Sequence, residues 1–187
     1  MKFVALLRGI NVGGNNIIKM SDLQTVFEKS GYTNVKTYIQ SGNVIFDSRE
    51  TDKEKITTHI ETILSKAFHY TAKVVVRSQK EMVRIIAEVP PVWNQTNDLR
   101  CYILYVKEPV SETEVASEVE VTEGIDSIKT GLGVVYMSTT MEGLTKSKFS
   151  KIIGKKVYKD VTMRNYKSSH IILEIMDGTL SKVSRHE

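Results

Sequence analysis

The chain has 187 residues, of which 41% are apolar and 26% are charged, with eleven glycines, three prolines and one cysteine. The apolar fraction is too high for a disordered chain, and a lone cysteine excludes an internally disulfide-bonded secreted scaffold. No apolar run approaches the roughly 20 residues of a membrane span, and the N-terminus is unlike a signal peptide. The sequence therefore predicts a cytoplasmic globular protein that does not enter a membrane.

Charge is unevenly distributed along the chain. Lysine and arginine number 26 and aspartate and glutamate 22, which gives a net charge of +4. Residues 108–126 carry acidic groups and no basic one, which predicts an acidic helix. This helix would be either an ordinary solvated surface or the partner of the basic C-terminal third of a second copy, so a homo-oligomer is one expectation. A small positive net charge is compatible with nucleic-acid or phosphate-bearing partners without requiring them.

The first part of the chain alternates strand and helix signals. The predicted elements are a strand at 3–7, a Gly/Asn-rich loop at 8–16, a helix capped at Ser21, a strand at 35–40, a turn at 41–43, a strand at 44–46, a helix opening at Thr51 and a strand at 74–76. This is the order βαββαβ.

A short helix capped by Ser78 and Glu81 then ends at Pro90 and Pro91, and the order begins again. The predicted elements are a strand at 101–106, an acidic helix capped by Ser111, hairpin strands at 125–130 and 134–138, a helix at 147–153, a short strand at 157–163 and a last helix at 164–176.

This element order predicts an α+β fold made by tandem duplication of two ferredoxin-like (βαββαβ) subdomains. The first subdomain spans 1–77 and the second 101–163, with a linker helix and loop at 78–100 and a C-terminal helix and tail at 164–187. Element order alone carries this prediction, because no residue identity between the two halves supports it.

In this topology, the loop after the first strand and the hairpin between the second and third strands open on one edge of the sheet. Glycine lets a ligand approach the backbone closely, and the first helix begins nearby with its positive dipole end. The edge is therefore predicted to bind a phosphate-bearing small molecule or a nucleic acid. The predicted ligand-binding residues are Arg8, Asn11, Gly13, Gly14, Asn15, Asn16, Lys19, Ser41, Gly42 and Asn43. The alternative is that Gly13-Gly14 is a simple turn and that the asparagines cap local backbone.

Arg164 and Asn165 fall in the predicted first turn of the last helix. An arginine there opposes the helix dipole, which an anionic ligand or a buried carboxylate would explain. Both residues are therefore added to the predicted ligand-binding set. Lys148, Lys151 and Lys155 share one helical face, which favours a solvated surface over contacts with phosphate groups.

No motif in the sequence predicts a particular reaction. The four histidines show no i,i+4 pair and there is no CxxC, so no metal or other cofactor is predicted. Cys101 opens an apolar run, which favours a packed thiol. In an enzyme, Arg8 would hold a substrate anion and Tyr38 or Ser41 would be the acid or nucleophile. Binding module, enzyme and structural or oligomeric interaction protein all stay open.

Several segments resemble a known bacterial family. Arg8–Gly14, Thr37–Phe46, Ser147–Phe149 and Thr162–Tyr166 are similar to the family called domain of unknown function 1697 (DUF-1697). The resemblance implies a cytoplasmic bacterial protein with tandem ferredoxin-like subdomains. It implies no activity, because the family is uncharacterised.

Overall fold

A computed structural model describes residues 1–14 and 16–180 of the chain. The chain divides into two compact units. Unit 1 comprises residues 1–83 and the C-terminal segment from residue 170, and unit 2 comprises residues 84–169. Within the described ranges, no helix combines the length and apolar content that crossing a bilayer requires.

Unit 1 contains a four-stranded antiparallel sheet with the order β2-β3-β1-β4. Its elements are β1 Lys2–Leu7, α1 Met20–Lys29, β2 Thr33–Tyr38, β3 Asn43–Asp47, α2 Lys53–Phe68 and β4 Val74–Ser78, followed by α3 Gln79–Ala87, which crosses the unit boundary.

The core of unit 1 lies between this sheet and helices α1 and α2. Phe3, Ala5 and Leu7 of β1 are buried in it together with residues of both helices. Val4 and Leu6, on the opposite face of β1, are also buried. The prediction of a first strand buried on both faces is therefore confirmed, and β1 forms the rigid centre from which the 8–16 loop leaves.

Unit 2 contains a second four-stranded antiparallel sheet, with the order β6-β7-β5-β8. Its strands and helices are a 3₁₀ helix at Pro91–Asn94, β5 Leu99–Val106, α4 Glu112–Ser117, β6 Asp126–Gly131, β7 Val134–Thr140, two 3₁₀ helices at Phe149–Gly154 and Lys156–Asp160, and β8 Val161–Asn165, followed by α5 Tyr166–Asp177, which crosses into unit 1.

Three predicted elements of unit 2 differ from the structure. The helix expected at 147–153 is a 3₁₀ helix at Phe149–Gly154, which ends because the chain becomes extended at Lys155. The first residues of the strand expected at 157–163 belong to the second 3₁₀ helix, Lys156–Asp160, so β8 begins only at Val161. The last helix begins at Tyr166 rather than at 164. Arg164 and Asn165 are instead paired in β8 with Ile103 and Tyr102 of β5.

The predicted helix caps have mixed outcomes. The Ser78–Glu81 capping box is confirmed: the Ser78 N–H donates to Glu81 Oε2 at 2.8 Å, and the Glu81 N–H donates to Ser78 Oγ at 3.3 Å. The cap at Ser111 is also confirmed. The cap of α2 is Asp52 rather than Thr51, and α1 starts at Met20, before Ser21.

Asp126, at the start of β6, is a buried carboxylate held by several donors. The Thr139 hydroxyl and the main-chain N–H groups of Thr122 and Lys148 donate to it, as does the Ser147 hydroxyl. Burial alone raises the pKa of Asp126, but these hydrogen bonds, led by those from Thr139 and Ser147, outweigh it and hold the pKa below its ordinary value.

Because the folded-state pKa of Asp126 is depressed, its stabilising contribution is full above the ordinary aspartate pKa of about 3.9. The contribution is lost as the pH falls through the folded-state pKa. We expect Asp126→Asn to lower the free energy of unfolding of unit 2 by about 2 kcal/mol at pH 7. In urea denaturation, the unfolding free energies of Asp126→Asn and of the natural chain should differ less near pH 3 than at pH 7.

The control is Glu123→Gln, at an exposed acidic residue three positions earlier. It should leave the unfolding free energy unchanged at both pH values. A difference between Asp126→Asn and the natural chain that is the same at pH 7 and pH 3 would contradict this account.

Candidate functional site: the loop edge

The loop after β1 and the β2–β3 hairpin lie side by side at one edge of the unit 1 sheet. The Leu7 N–H donates to the Gly42 carbonyl at 2.8 Å, and Asn11 Nδ2 donates to the Gln40 carbonyl at 2.9 Å. We call residues 8–19 and 39–43 together the loop edge. The structure thus brings together two predicted segments that are about thirty residues apart in the sequence.

Asn11 is the main hydrogen-bonding group of the loop edge. In addition to its bond to Gln40, its Nδ2 donates to the Ile18 carbonyl at 3.0 Å, and its Oδ1 accepts from the Ile18 N–H at 2.8 Å. The backbone of Asn11 has φ +53°, a conformation that asparagine tolerates better than most residues. One side chain therefore fixes three points of the chain relative to one another.

The other asparagines of the loop edge also bond to nearby groups of the chain. Asn16 Nδ2 donates to the Gly9 carbonyl at 2.9 Å, and the Asn11 N–H donates to the Asn16 carbonyl at 3.2 Å. Asn43 is fully buried and donates to the Tyr38 carbonyl and to Ser41 Oγ. These contacts favour a role in holding the loops for Asn11, Asn16 and Asn43. Asn15 lies outside the described residues.

Gly42 is required for packing. Its φ is +77°, and a Cβ placed there would lie 2.6 Å from Ile10 Cδ1 and 2.8 Å from Leu7 Cβ. Ile10 is itself buried. Hydrocarbon therefore fills the space beneath the hairpin, and a ligand at this edge has to bind on its exposed outer surface.

That outer surface presents glycine backbone and cations. Gly9, Gly13 and Gly14 are exposed and have positive φ, and among the residues that the structure describes none accepts a hydrogen bond from their N–H groups. Consecutive positive φ values at Gly13 and Gly14 suit a tight hairpin turn. Lys19 is exposed and Arg8 is half-buried.

The sequence around the loop edge adds to its positive charge. The Arg8 N–H donates to the Lys73 carbonyl at 2.9 Å, which places a further lysine next to the edge. Residues 8–21, 30–46 and 69–80 contain no acidic residue. The nearby strand ends and loops thus supply cations and no carboxylate of their own.

Three exposed aliphatic side chains also belong to the loop edge. Val12, Ile17 and Ile39 are 64%, 79% and 44% exposed. Val12 follows Asn11 in the chain, and Ile17 and Ile39 precede the two residues to which the Asn11 side chain bonds. Ile39 has φ +47°, which is rare and strained for a β-branched residue. Such strain is found most often at functional sites.

The two residues proposed for an enzyme reaction differ in their surroundings. Burial, and then the charge of Glu174, raise the pKa of Tyr38, so its phenol stays protonated at neutral pH. Ser41 Oγ accepts a hydrogen bond from Asn43 at 3.1 Å. A protonated Tyr38 phenol can act as an acid but is a weak nucleophile.

Arg164 and Asn165 belong to unit 2, whereas the loop edge belongs to unit 1. The helix-dipole argument for Arg164 is wrong, because the residue belongs to β8. Arg164 is buried, and its Nη1 donates to Thr162 Oγ1 and to the Met163 carbonyl, both at 2.9 Å. Burial lowers its pKa to about 10. Asn165 is exposed and caps α5, accepting from the Lys167 N–H at 2.8 Å.

The acidic segment and the lysine face are paired within unit 2. Lys151 Nζ lies 2.6 Å from Glu120 Oε2, and Lys155 Nζ lies 3.5 Å from Glu118 Oε2. These contacts pair within one chain charges that the sequence alone suggested for a second copy. A homo-oligomer stays an expectation.

Two concave surfaces went unnoticed in the sequence. One, in unit 1, is an open cleft of about 890 Å³ where the Tyr32 hydroxyl lies 2.9 Å from His59 Nδ1. Burial raises the pKa of Tyr32 to about 12, so its phenol is neutral. The other is a cavity of about 420 Å³ in unit 2, beside Trp93. Their lining residues come from scattered positions, so no local motif marks them.

The described part of the chain holds no group of three or more His, Cys, Asp or Glu residues arranged to bind a metal ion. What the loop edge offers instead is a set of main-chain N–H groups and cations on a braced loop. These groups suit an anionic ligand.

The structure defines an α+β protein with two antiparallel four-stranded sheets and a basic, glycine-containing loop edge. The family described as "Protein of unknown function (DUF1697)" matches residues 1–136, and the chain belongs to this family. The resemblance noted in the sequence is therefore confirmed.

A solved structure, "The structure of conserved bacterial protein SP0830 from Streptococcus pneumoniae", has a TM-score of 0.81 and 24% identity, covering 94% of this chain and 98% of that one. At that identity the likeness shows the fold alone. An unknown protein from Galdieria sulphuraria has 15% identity and a TM-score of 0.24 over 88% of this chain and 95% of its own, too low to support any argument. None of the curated proteins matches the chain.

If Asn11 holds the loop edge, its replacement should loosen the loop without disturbing the sheet. Asn11→Gly tolerates the positive φ but removes the three hydrogen bonds of the side chain. We expect a loss of about 1–2 kcal/mol in the free energy of unfolding and faster hydrogen exchange at the Ile18 amide.

Asn11→Asp is the matched variant, because it keeps an acceptor for the Ile18 N–H but places a carboxylate oxygen against the Ile18 and Gln40 carbonyls. It should therefore also lose stability and protection at Ile18 relative to the natural chain. Unchanged exchange at the Ile18 amide in Asn11→Gly would contradict the role assigned to Asn11.

Proposed function

We propose that this protein is a binding module for a phosphate-bearing ligand, a nucleotide or a nucleic acid, which binds on the outer surface of the loop edge. The observation that carries the proposal is that three exposed glycines, Gly9, Gly13 and Gly14, lie in the same loop as Arg8 and Lys19, and that none of the described residues accepts a hydrogen bond from their N–H groups. Main-chain N–H groups and cations are the donors that proteins use most for phosphate oxygens.

The contacts of the predicted residues decide which of them this proposal uses. Asn11, Asn16 and Asn43 hold the loops, and Gly42 makes room for Ile10. The ligand contacts proposed here are therefore Arg8, Gly13, Gly14 and Lys19. Bracing by Asn11 supports the proposal further, because a loop that is already ordered loses less conformational entropy on binding.

The exposed aliphatic residues extend the proposal to the rest of the ligand. Val12, Ile17 and Ile39 offer apolar surface next to the cations. A nucleotide carries both phosphate oxygens and an apolar base face, so it suits this combination better than inorganic phosphate does.

We infer in addition that the two units arose by tandem duplication of one ferredoxin-like module. The two sheets have equivalent strand orders, and a helix directly follows the last strand of each. Arg77 and Arg164 are the fourth residues of β4 and β8, and are paired with Val4 of β1 and Ile103 of β5. Each Nη1 donates to the preceding residue's carbonyl at 2.9 Å. The domain boundaries, bacterial origin and cytoplasmic location stay part of the proposal.

The proposal predicts that ATP or a single-stranded oligonucleotide raises the melting temperature of the natural chain. Arg8→Ala should weaken binding at least about tenfold, since it removes a charge-assisted contact. Affinity is measured by isothermal titration calorimetry. Arg49→Ala is the matched control, because Arg49 is an exposed arginine between β3 and α2.

Lys19→Ala should weaken binding in the same direction as Arg8→Ala, and Arg49→Ala should leave it unchanged. The proposal fails if neither probe shifts the melting temperature of the natural chain. It also fails if Arg8→Ala and Arg49→Ala bind the probes equally well.

A further inference from the structure

β6, Asp126–Gly131, is an outer strand of the unit 2 sheet and is mostly exposed. It pairs with β7 without a bulge, from Asp126 opposite Thr139 to Gly131 opposite Val134. We propose that the free edge of β6 pairs antiparallel with β6 of a second copy of the chain, so that the protein forms a reversible homodimer through unit 2.

Alternate residues of β6 direct their main-chain groups toward β7 and toward the free edge. The Thr140 N–H donates to the Ile125 carbonyl at 3.0 Å, so the odd-numbered residues of this segment face β7. The even-numbered residues face outward, and the Asp126 N–H accordingly donates to the preceding loop rather than to β7. In the described part of the chain, no hydrogen bond uses the N–H or carbonyl of Ile128 or Thr130. These groups are the donors and acceptors that an added strand takes up.

The other outer strands of the two sheets are protected against such pairing. β2 has an irregular register between Thr33 and Lys36, and Asn34 within it has φ +52°. β4 is buried along its whole length, and in β8 three of the five residues are buried. Proteins commonly protect strand edges by bulges or by cover, and an unprotected edge pairs readily with another chain. β6, with an unbroken register and four of its six residues exposed, lacks both kinds of protection.

Lys129 does not protect the edge of β6 either. A lysine on an outer strand usually opposes pairing with another chain. Here the Lys129 Nζ donates to the Glu88 carbonyl at 2.7 Å and lies 5.8 Å from the centre of the Tyr136 ring. Tyr136 is opposite Lys129 on β7, so the lysine side chain leans toward β7 and away from the free edge. The main chain at that edge is therefore left accessible.

The sequence of β6 decides how two copies align. Antiparallel pairing places outward-facing residues opposite one another. With Ile128 opposite Thr130 of the second copy, the two Lys129 residues would lie directly opposite each other, and like charges in that position destabilise a strand pair. With Ile128 opposite Ile128, each Lys129 lies opposite Ser127. In this register the N–H and carbonyl of Ile128 bond to Ile128 of the second copy, and its side chain, 36% exposed in one chain, gains an apolar neighbour.

A second β6 fits this edge better than a segment of an unrelated protein. A foreign peptide added to a sheet gains specificity from pockets beside the edge that take its alternate side chains. Neither the cleft at Tyr32 nor the cavity beside Trp93 includes a residue of β6. β6 itself matches β6, because it offers complementary main-chain groups and an apolar residue opposite an apolar residue. Since the strand has only six residues, the interface is small and the dimer dissociates on dilution.

Sedimentation velocity tests the dimer. The natural chain should sediment as a monomer at low micromolar concentration and increasingly as a dimer toward millimolar concentration. Ile128→Lys should weaken dimerisation at least about tenfold, because it places two ammonium groups opposite each other. Ile128→Glu should weaken it for the same reason. An equimolar mixture of the two variants should dimerise again, since opposite charges then meet across the two strands.

Leu132→Lys is the matched control, because Leu132 is 60% exposed at the tip of the β6–β7 hairpin and lies outside the proposed register. This variant introduces the same charge and should dimerise as the natural chain does. Hydrogen exchange gives an independent measurement. The Ile128 amide should exchange slowly in concentrated protein and rapidly in dilute protein, whereas the Lys129 amide, which faces β7, should be protected in both.

The proposal is overturned if the natural chain stays a monomer at millimolar concentration, or if Ile128→Lys dimerises as strongly as the natural chain. It is also overturned if the mixture of Ile128→Lys and Ile128→Glu stays monomeric, because the two Ile128 residues are then not opposite each other. A dimer in which the Ile128 amide exchanges equally fast at both concentrations would place the interface elsewhere and would contradict the pairing of β6.

Discussion

The hydrogen bonds of the Asn11 side chain are the constraint on which the candidate site depends. They join the loop after β1, the approach to α1 and the β2–β3 hairpin through Ile18 and Gln40. β1 is buried on both faces and cannot move to accommodate a shifted loop. The buried strand β1 and the Asn11 side chain together hold the exposed glycine turn in one place. Proteins commonly place binding residues on loops that a rigid scaffold positions in this way.

In the loop edge, one sequence pattern serves structure and, in the proposed function, recognition as well. Its asparagines satisfy main-chain groups and Gly42 makes space for Ile10, so these residues are explained by folding alone. Arg8, Lys19 and the exposed glycines are the residues that the proposed function uses. Charge and apolar exposure at the same edge are the features on which the proposed function rests.

The order and pairing of the strands could be predicted from the sequence more fully than the contacts between side chains. Strand periodicity and turn residues predicted the elements of unit 1, and the crossover rule brought residues 8–16 beside 40–43. The roles of Asn11 and Ile10 could not be predicted, because hydrogen-bond partners and packing depend on coordinates. Arg164 was predicted to lie in the last helix because no helix-breaking residue marks the boundary where β8 ends at Asn165 and α5 begins at Tyr166. The Trp93 cavity is lined mainly by residues of 93–101 and closed by Met141 and residues 165–167, and no motif in these segments signals a cavity.

The central claim is that the glycine turn braced by Asn11 receives phosphate oxygens. The most direct measurement is amide chemical-shift mapping of the natural chain with ATP and, separately, with adenosine. The account predicts that ATP moves the Gly13 and Gly14 amide resonances most among those of unit 1, and that adenosine moves them far less. Equal shifts with both compounds, or ATP-dependent shifts that leave these two glycines unmoved, would contradict it.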